Sequence, residues 1–384
     1  MGERKGKQQL EKLKKKYGVD ILWSFSRYNA YKTDPYGYML KYIRHEPETR
    51  QNIYGISGGF IHDIIQGLYD KQVKYDEMLT LYEDKLYEMN VAELKYDRND
   101  EEKNKNIADK YEENIRLFFQ QHKEIPYKMI TEQFVTIKIY DYIFQGYIDA
   151  IYKDENGIYN IIDWKSSTIY VGAKVIKEAK QLILYAESLI QKGVQLENIM
   201  IKWNFLKYCT VEYQLKGIDK ETKLHKTKTR NSLRTEWVKG LENNIKMWLG
   251  MLGYDELEIE DMVQTAIENN SMDNLPQELQ DRYKMTDCYV NIPLTQEIID
   301  ELKDDIKNTL DEITEKTEEY KKTKDDKLFW TDIDKSNEYY FYSLCPYSSK
   351  QHLPFKEYLD IINMFITDYC ENNQDNDMKW LDDL

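Results

Sequence analysis

The stretch GYIDAIYKDENGIYNIIDWKSST, residues 146–168, contains two strand-like runs on either side of a turn. Both runs are rich in Ile and Tyr, yet each carries a single Asp, and the second ends in Asp-Trp-Lys. A carboxylate inside a hydrophobic strand costs free energy unless something binds it. Asp149, Asp163 and Lys165 are therefore the first candidates for a functional site.

The length of the turn decides whether the two carboxylates meet. Side chains alternate between the faces of a sheet, so Asp163 shares a face with Lys165 but not with Trp164. A two-residue loop ending at Gly157 would place Asp149 opposite Trp164, on the wrong face. A three-residue loop needs positive φ at its last position, which glycine adopts freely, and it places Asp149 opposite Asp163. We expect the three-residue loop.

Two carboxylates facing each other across a strand pair indicate a cation site. Their Cβ atoms would be ~5 Å apart, close enough that one would take up a proton unless a cation lies between them. Oxygen ligands suit Mg²⁺ or Mn²⁺, and a nitrogen from His62 would favour Mn²⁺. Lys165 would orient the attacking water and stabilise charge on a phosphate.

Two other interpretations fit the same residues. A short Asp-x-Lys spacing is common, and it also describes an exposed hairpin with an ordinary ion pair. The two aspartates could instead be the acid and base of a metal-free hydrolase such as a glycosidase. Lys165 fits that second interpretation poorly, because its charge would lower the pKa of both carboxyls.

The order of elements around the hairpin predicts an α/β (mixed α+β) fold, with a central mixed β-sheet flanked by helices. The region before it, 74–124, is helical and polar by pattern. Residues 56–70 read as a loop running into a helix, with His62 on the flank of its apolar stripe. The predicted strands cover 132–152, 158–165, 199–208 and 210–215, with a helix at 174–192.

The predicted domain organisation is an α/β core with helical additions. It comprises a basic N-terminal arm at 1–20, the core at 21–240, an acidic and mainly helical accessory lobe at 241–327, a C-terminal segment at 328–370 that packs back on the core, and a disordered acidic tail at 371–384.

The formal net charge is −15, which taken alone argues against binding to nucleic acid. The charge is uneven, however, and residues 220–239 are strongly basic. Within that segment, Lys226, Lys228 and Arg230 are candidates for contact with phosphates. A solvated loop explains the same residues equally well.

The chain has the character of a cytoplasmic protein. Its four cysteines are scattered without a CxxC pair, so neither a disulfide framework nor a zinc site is expected. No apolar run is long enough to span a bilayer, and the N-terminus has no apolar signal core. The sequence also lacks a G-x-x-x-x-G-K-[ST] phosphate loop, so any helicase motor would be a separate chain.

Four short motifs occur in an order that resembles the PD-(D/E)XK nuclease superfamily, in its RecB/AddB-like branch of phage exonucleases and CRISPR adaptation nucleases. The G-x-x-x-H motif corresponds to residues 58–62, and the G-x-x-D motif to residues 146–149. The D-x-K motif corresponds to residues 163–165, and the Q-x-x-x-Y motif to residues 181–185. The resemblance covers residues 24–208, with a weaker similarity at 341–358, and it implies a restriction-endonuclease-like core.

The resemblance implies a role for each matching residue. Lys165 would be the catalytic lysine, with Gln181 and Tyr185 supporting the site from one side of a helix. The ligands of Mg²⁺ or Mn²⁺ would be His62, Asp149, Asp163 and the backbone carbonyl of Trp164. Many relatives also hold an iron–sulfur cluster, which needs four thiolates. Cys345 is the one cysteine of the C-terminal motif, so it is expected to be a buried thiol and no cluster is expected.

Together these features predict a metal-dependent deoxyribonuclease, and more narrowly an exonuclease of recombination, end processing or nucleic-acid defence. Its partners would be DNA and a helicase or recombinase subunit on a separate chain, in the cytoplasm of a bacterial or phage-infected cell. The alternative is a catalytically silent member of the superfamily that binds DNA or a helicase. A structural protein of a mobile element, interacting through the acidic residues 255–327, is a further possibility.

Overall fold

The computed structural model describes residues 5–48, 52–94, 96, 102–333 and 340–347. The chain divides into two compact units, each formed from separate stretches of sequence. The first contains Met1–Gly18, Ile53–Ile137 and Gln145–Leu302, and the second contains Val19–Asn52, Lys138–Phe144 and Lys303–Leu384. The predicted tail at 371–384, Cys370 and most of the predicted segment 328–370 lie outside the described residues. The predicted domain boundaries stay a prediction.

A mixed sheet of six strands forms the centre of the described chain, which confirms the predicted fold class. The strands are β1 (Met129–Ile139), β2 (Tyr142–Lys153), β3 (Tyr159–Lys165), β4 (Ile199–Ile218), β5 (His225–Leu233) and β6 (Tyr283–Ile292). Their order is β1-β2-β3-β4-β5, and β6 also pairs with β4. The β3–β4 pair is parallel, whereas β2–β3, β4–β5 and β4–β6 are antiparallel.

Twelve α-helices are described. They are α1 (Lys7–Tyr17), α2 (Phe25–Thr33), α3 (Pro35–Tyr42), α4 (Ile53–Tyr69), α5 (Met78–Val91), α6 (Glu102–Gln121), α7 (Ala173–Glu178), α8 (Lys180–Ile190), α9 (Glu242–Leu252), α10 (Glu256–Asn269), α11 (Gln277–Gln280) and α12 (Gln296–Thr323). Among the described residues, no helix is both long enough and apolar enough to cross a membrane.

The β2–β3 hairpin has the predicted three-residue turn. Ala150 pairs with Ile162 and Lys153 with Tyr159, a register that continues to place Asp149 opposite Asp163. Gly157 closes the turn with φ of 82°. The Asp154 carboxylate accepts hydrogen bonds from two turn amides at 3.0 Å, which holds the loop at this length.

The sheet has helices on both faces. On the Trp164 face, α4, α5 and α6 form an apolar core in which the Trp164 indole is 3% exposed. Helix α8 packs on β3 and β4, and a second core joins α9, α10 and α11 to β4. The catalytic candidates lie where the sheet meets α4 and α8, so both helices can contribute side chains to one site.

Several predictions of individual strands and helices differ from the structure. The two strands expected at 199–208 and 210–215 are one strand, β4, with a register shift. Neither β5, which lies within the basic residues 220–239, nor β6, which lies within residues 241–327, was predicted as a strand. Residues 56–70 were expected to be a loop running into a helix, but α4 already begins at Ile53. Cys345 is buried as predicted.

Candidate active site

Asp149 and Asp163 lie at the open end of the hairpin. The strand register and a backbone hydrogen bond fix the position of Asp149. The Trp164 N–H donates to Asp149 Oδ2 at 3.3 Å, so this carboxylate is tied to the strand opposite it. Burial and the nearby Asp163 raise the pKa of Asp149 well above its usual range. Asp163 is thus close enough to oppose ionisation of Asp149.

Lys165 extends back along its own strand to the neighbouring carboxylate. Its Nζ lies 2.6 Å from Asp163 Oδ2, and the side chain keeps 29% of its surface exposed. Burial favours the neutral amine, but attraction by Asp163 and Asp149 outweighs it and holds the pKa of Lys165 above its usual value. The lysine is therefore a cation that faces solvent at the mouth of the site.

His62 reaches the hairpin from α4. Its Nε2 lies 2.8 Å from the Trp164 carbonyl oxygen, and its Nδ1 lies 3.5 Å from Asp149 Oδ2. Burial lowers the pKa of His62, which favours the neutral ring. A carbonyl can only accept, so the proton belongs on Nε2 and an unprotonated Nδ1 faces the carboxylate.

Gln181 and Tyr185 lie on one side of α8, as predicted, and contact each other. Gln181 Nε2 donates to the Tyr185 hydroxyl at 3.0 Å. Burial raises the pKa of Tyr185 to about 12. Its ring lies against the backbone of Gly146, where a Cβ would come within 2.8 Å of Tyr185 Cε1. The glycine of the G-x-x-D motif therefore makes room for the tyrosine of the Q-x-x-x-Y motif.

Glu132, on β1, is a third acidic residue of this site that the sequence did not indicate. Its charge adds to the raised pKa of Asp149 and partly offsets the lowering of the His62 pKa by burial. One of its carboxylate oxygens is fully buried, and its backbone has φ of 45°, which is rare for a residue other than glycine. Strained backbone of this kind is concentrated at functional sites, but no sequence pattern indicates it.

A buried ionic network supports the hairpin from the Trp164 face. Tyr69 stacks on the Trp164 ring, with centroids 6.3 Å apart, and its hydroxyl lies 3.2 Å from His122 Nε2. His122 Nδ1 is 2.6 Å from Asp287, whose other carboxylate oxygen accepts from Arg234 at 2.5 Å. Sequence reasoning missed this network, because its members come from α4, from β6 and from the residues that directly follow α6 and β5.

The basic residues proposed for phosphate contact do not join this cluster. Lys226, Lys228 and Arg230 lie on β5, and β4 separates that strand from β3. All three side chains are exposed and, two residues apart, they share one face of the strand. Arg230 also donates to the Gly240 carbonyl at 2.7 Å. Exposed lysines on an edge strand also prevent unwanted strand pairing.

The donor atoms of this site suit a divalent cation, although side chains alone do not surround the position. Among the described residues, no three His, Cys, Asp or Glu side chains already converge as a metal site. The candidate ligands are instead two opposed carboxylates, one of which faces an imidazole nitrogen, together with a backbone carbonyl. When Asp149 is ionised, His62 Nδ1 and Asp149 Oδ2 are two acceptors facing each other at 3.5 Å, and a metal cation between them would replace the proton that the raised pKa of Asp149 favours. Hard oxygen donors of this type suit Mg²⁺ or Mn²⁺.

Comparison with known families gives a match over most of the chain. The family model described as the PD-(D/E)XK nuclease superfamily matches residues 22–325, which includes the whole hairpin and all the residues above. Comparison with curated proteins gives no match.

Proposed function

Because this chain belongs to the PD-(D/E)XK nuclease superfamily, whose members generally use divalent metals, we propose that it is a Mg²⁺- or Mn²⁺-dependent deoxyribonuclease. The reaction is hydrolysis of a phosphodiester bond at the β2–β3 hairpin. The observation that carries the proposal is the hairpin register, which brings Asp149 and Asp163 onto one face of the sheet beside Lys165.

The charged Lys165 is suited to the charge that develops on phosphate oxygens during hydrolysis. Its ammonium group is held in place by Asp163, partly exposed and ready to donate hydrogen bonds. Preorganised donors of this kind stabilise the transition state without having to reorganise during the reaction. Lys165 also orients the attacking water.

Asp149, Asp163, the Trp164 carbonyl and His62 would hold the cation. When bound, the cation supplies Lewis-acid polarisation of the phosphate and neutralises its charge. The hydrogen bond from His62 fixes the orientation of the Trp164 carbonyl, and the Trp164 N–H fixes Asp149. Gln181 and Tyr185 support the site from α8 and contact the DNA strand.

We assign the enzyme to the exonucleases, and its process to recombination, end processing or nucleic-acid defence. The support is the order of the four motifs, which resembles the RecB/AddB-like branch. A helicase or recombinase subunit on another chain would present the DNA end. The free, buried thiols of Cys209, Cys288 and Cys345 fit a reducing cytoplasm.

The test is a cleavage assay on linear and covalently closed circular DNA with Mg²⁺, Mn²⁺ or EDTA. We expect the linear substrate to be degraded from its ends with either metal, the circle to survive, and EDTA to abolish the reaction. Cleavage of the circular DNA would contradict the assignment as an exonuclease. DNA binding without cleavage under every metal condition would instead support a catalytically silent DNA-binding member of the family.

A further inference from the structure

The second unit contains a cavity that the proposed nuclease reaction does not use. Its volume is about 290 Å³, and it opens between the α2–α3 pair and α12. Trp23, Tyr38 and Ile313 are almost fully buried in its floor. Tyr31 Oη donates to Glu312 at 2.7 Å, a bond that joins α2 to α12.

Arg27 is the polar group at the centre of this cavity. Its guanidinium carbon lies 4.6 Å from the Trp23 ring centroid and 5.0 Å from that of Tyr42. Its Nε donates to the Tyr38 hydroxyl at 3.2 Å. Within the described chain no carboxylate contacts Arg27, so its terminal nitrogens keep their capacity to donate. Arg44 of the same unit, by contrast, pairs with Asp326 at 2.5 Å.

The remaining charges of the cavity wall leave it positive. Glu318 and Lys321 both line the rim, but they pair with each other at 2.6 Å. The net positive charge of the cavity therefore comes from Arg27, in a protein whose overall charge is −15. A guanidinium oriented by an aromatic cage binds an anion well, and its planar fork suits phosphate oxygens in particular.

We propose that this cavity binds one nucleoside phosphate, with the phosphate on Arg27 and the base against the aromatic and aliphatic wall. Aromatic side chains beside a cation are the combination that binds single nucleotides of a strand. The volume is at the small end for a ligand pocket and suits one nucleotide rather than a longer segment. The ligand is either the phosphorylated end of a DNA strand or a free nucleotide. This inference does not depend on the hairpin being catalytic.

The test is calorimetric titration of the full chain with dAMP in EDTA, which excludes metal-dependent binding at the hairpin. We expect saturable binding of dAMP and at least about tenfold weaker binding of deoxyadenosine, which lacks the charged group. Arg27→Met should weaken dAMP binding by about tenfold or more. Lys322→Met, which removes an exposed charge that does not line the cavity, should leave it unchanged.

A second variant covers the case in which Arg27→Met fails to fold. Thr317→Phe fills the cavity from the rim of α12 while leaving Arg27 in place, and it should also abolish dAMP binding. A 5′-phosphorylated tetranucleotide that binds at least as tightly as dAMP identifies a strand end as the ligand, whereas binding of dAMP alone identifies a free nucleotide. The proposal is overturned if neither probe binds at millimolar concentration, if deoxyadenosine binds as well as dAMP, or if Thr317→Phe leaves binding unchanged.

Discussion

Gly146 takes no part in the proposed reaction, but it affects the packing of the site. The Tyr185 ring occupies the space that a side chain at position 146 would need. Gly146 is three residues before Asp149 in β2, and the charge of Asp149 contributes to the raised pKa of Tyr185. A glycine at this position therefore determines how closely α8 can approach the hairpin.

Gly146→Ala should destabilise the protein and impair cleavage together. The new methyl group must displace Tyr185, and overpacking of this kind costs about 1–3 kcal/mol in the free energy of unfolding. Urea denaturation and the rate of DNA cleavage would measure the two effects. Gly59→Ala is the matched control, because nothing lies within 4 Å of the added methyl group in α4. That substitution should stabilise the helix by about 1 kcal/mol. Equal stability of Gly146→Ala and wild type would contradict the account.

At the scale of elements, the hairpin was predictable because its register depends only on residues close together in the sequence. Alternation along β3 and the need for positive φ at Gly157 were enough to choose the register. Strands β5 and β6 were missed because the sequence of β5 is almost entirely polar and because β6 pairs with β4 from a distant part of the chain. The ionic network behind Trp164 was missed for a related reason, since its residues meet only after the strands and helices have packed.

Gly157→Ala tests the turn. Its φ of 82° is unfavourable for alanine, so the free energy of unfolding should fall by about 1 kcal/mol. The folded variant should still cleave DNA, because residue 157 contacts neither carboxylate. Gly217→Ala, at a position with open space and no positive φ, is the control that should stay near wild type. Loss of cleavage in a stably folded Gly157→Ala protein would mean that the register depends more on the turn than on the apolar faces.

The buried network predicts a pH dependence of stability. Burial alone would raise the pKa of Asp287, but His122 and Arg234 outweigh it and hold that pKa below its usual value. A carboxyl with a lowered folded-state pKa adds stability above its unfolded pKa, about 3.9, and loses this contribution as the pH falls through its folded pKa.

Asp287→Asn should remove this dependence and leave Arg234 buried without its carboxylate. The expected loss is about 3–5 kcal/mol near neutral pH, with a smaller further loss on acidification than wild type shows. Urea denaturation across the acidic range would measure both effects. Asp261→Asn, which changes an exposed carboxylate on α10, should behave as wild type. Parallel stability curves for Asp287→Asn and wild type at low pH would count against the network.

For the whole molecule, the main electrostatic question is how a protein of net charge −15 binds DNA. We expect Lys226, Lys228 and Arg230 to contact phosphates on the exposed face of β5. Replacing all three with Gln should make the dependence of log K on log salt shallower by about 2–3, since each phosphate contact contributes ~0.9. Fluorescence anisotropy at several salt concentrations measures this slope. The same replacements at Lys12, Lys15 and Lys16 of α1 are the matched control. An unchanged slope in the β5 variant would mean that these residues do not contact phosphates and only prevent unwanted pairing at the edge strand.

The sequence predicted the candidate site better than it predicted the whole chain. His62, Asp149, Asp163 and Lys165 are brought together as expected, because motif order and strand alternation determine their positions. Glu132 had no such signal, since a glutamate near the start of a strand usually faces solvent. The division into two units, each formed from separate stretches of the chain, also has no local signature.

The central claim is that the hairpin is a catalytic site, and the most direct measurement is the cleavage rate of linear DNA by Lys165→Ala in Mg²⁺. Loss of a charged donor to the transition state should lower the rate by at least about 10²-fold while the protein stays folded. Lys153→Ala, which removes an exposed lysine from the turn end of the same hairpin, should cleave as wild type does. A Lys165→Ala protein that cleaves as fast as the Lys153→Ala control would contradict the assignment of the site.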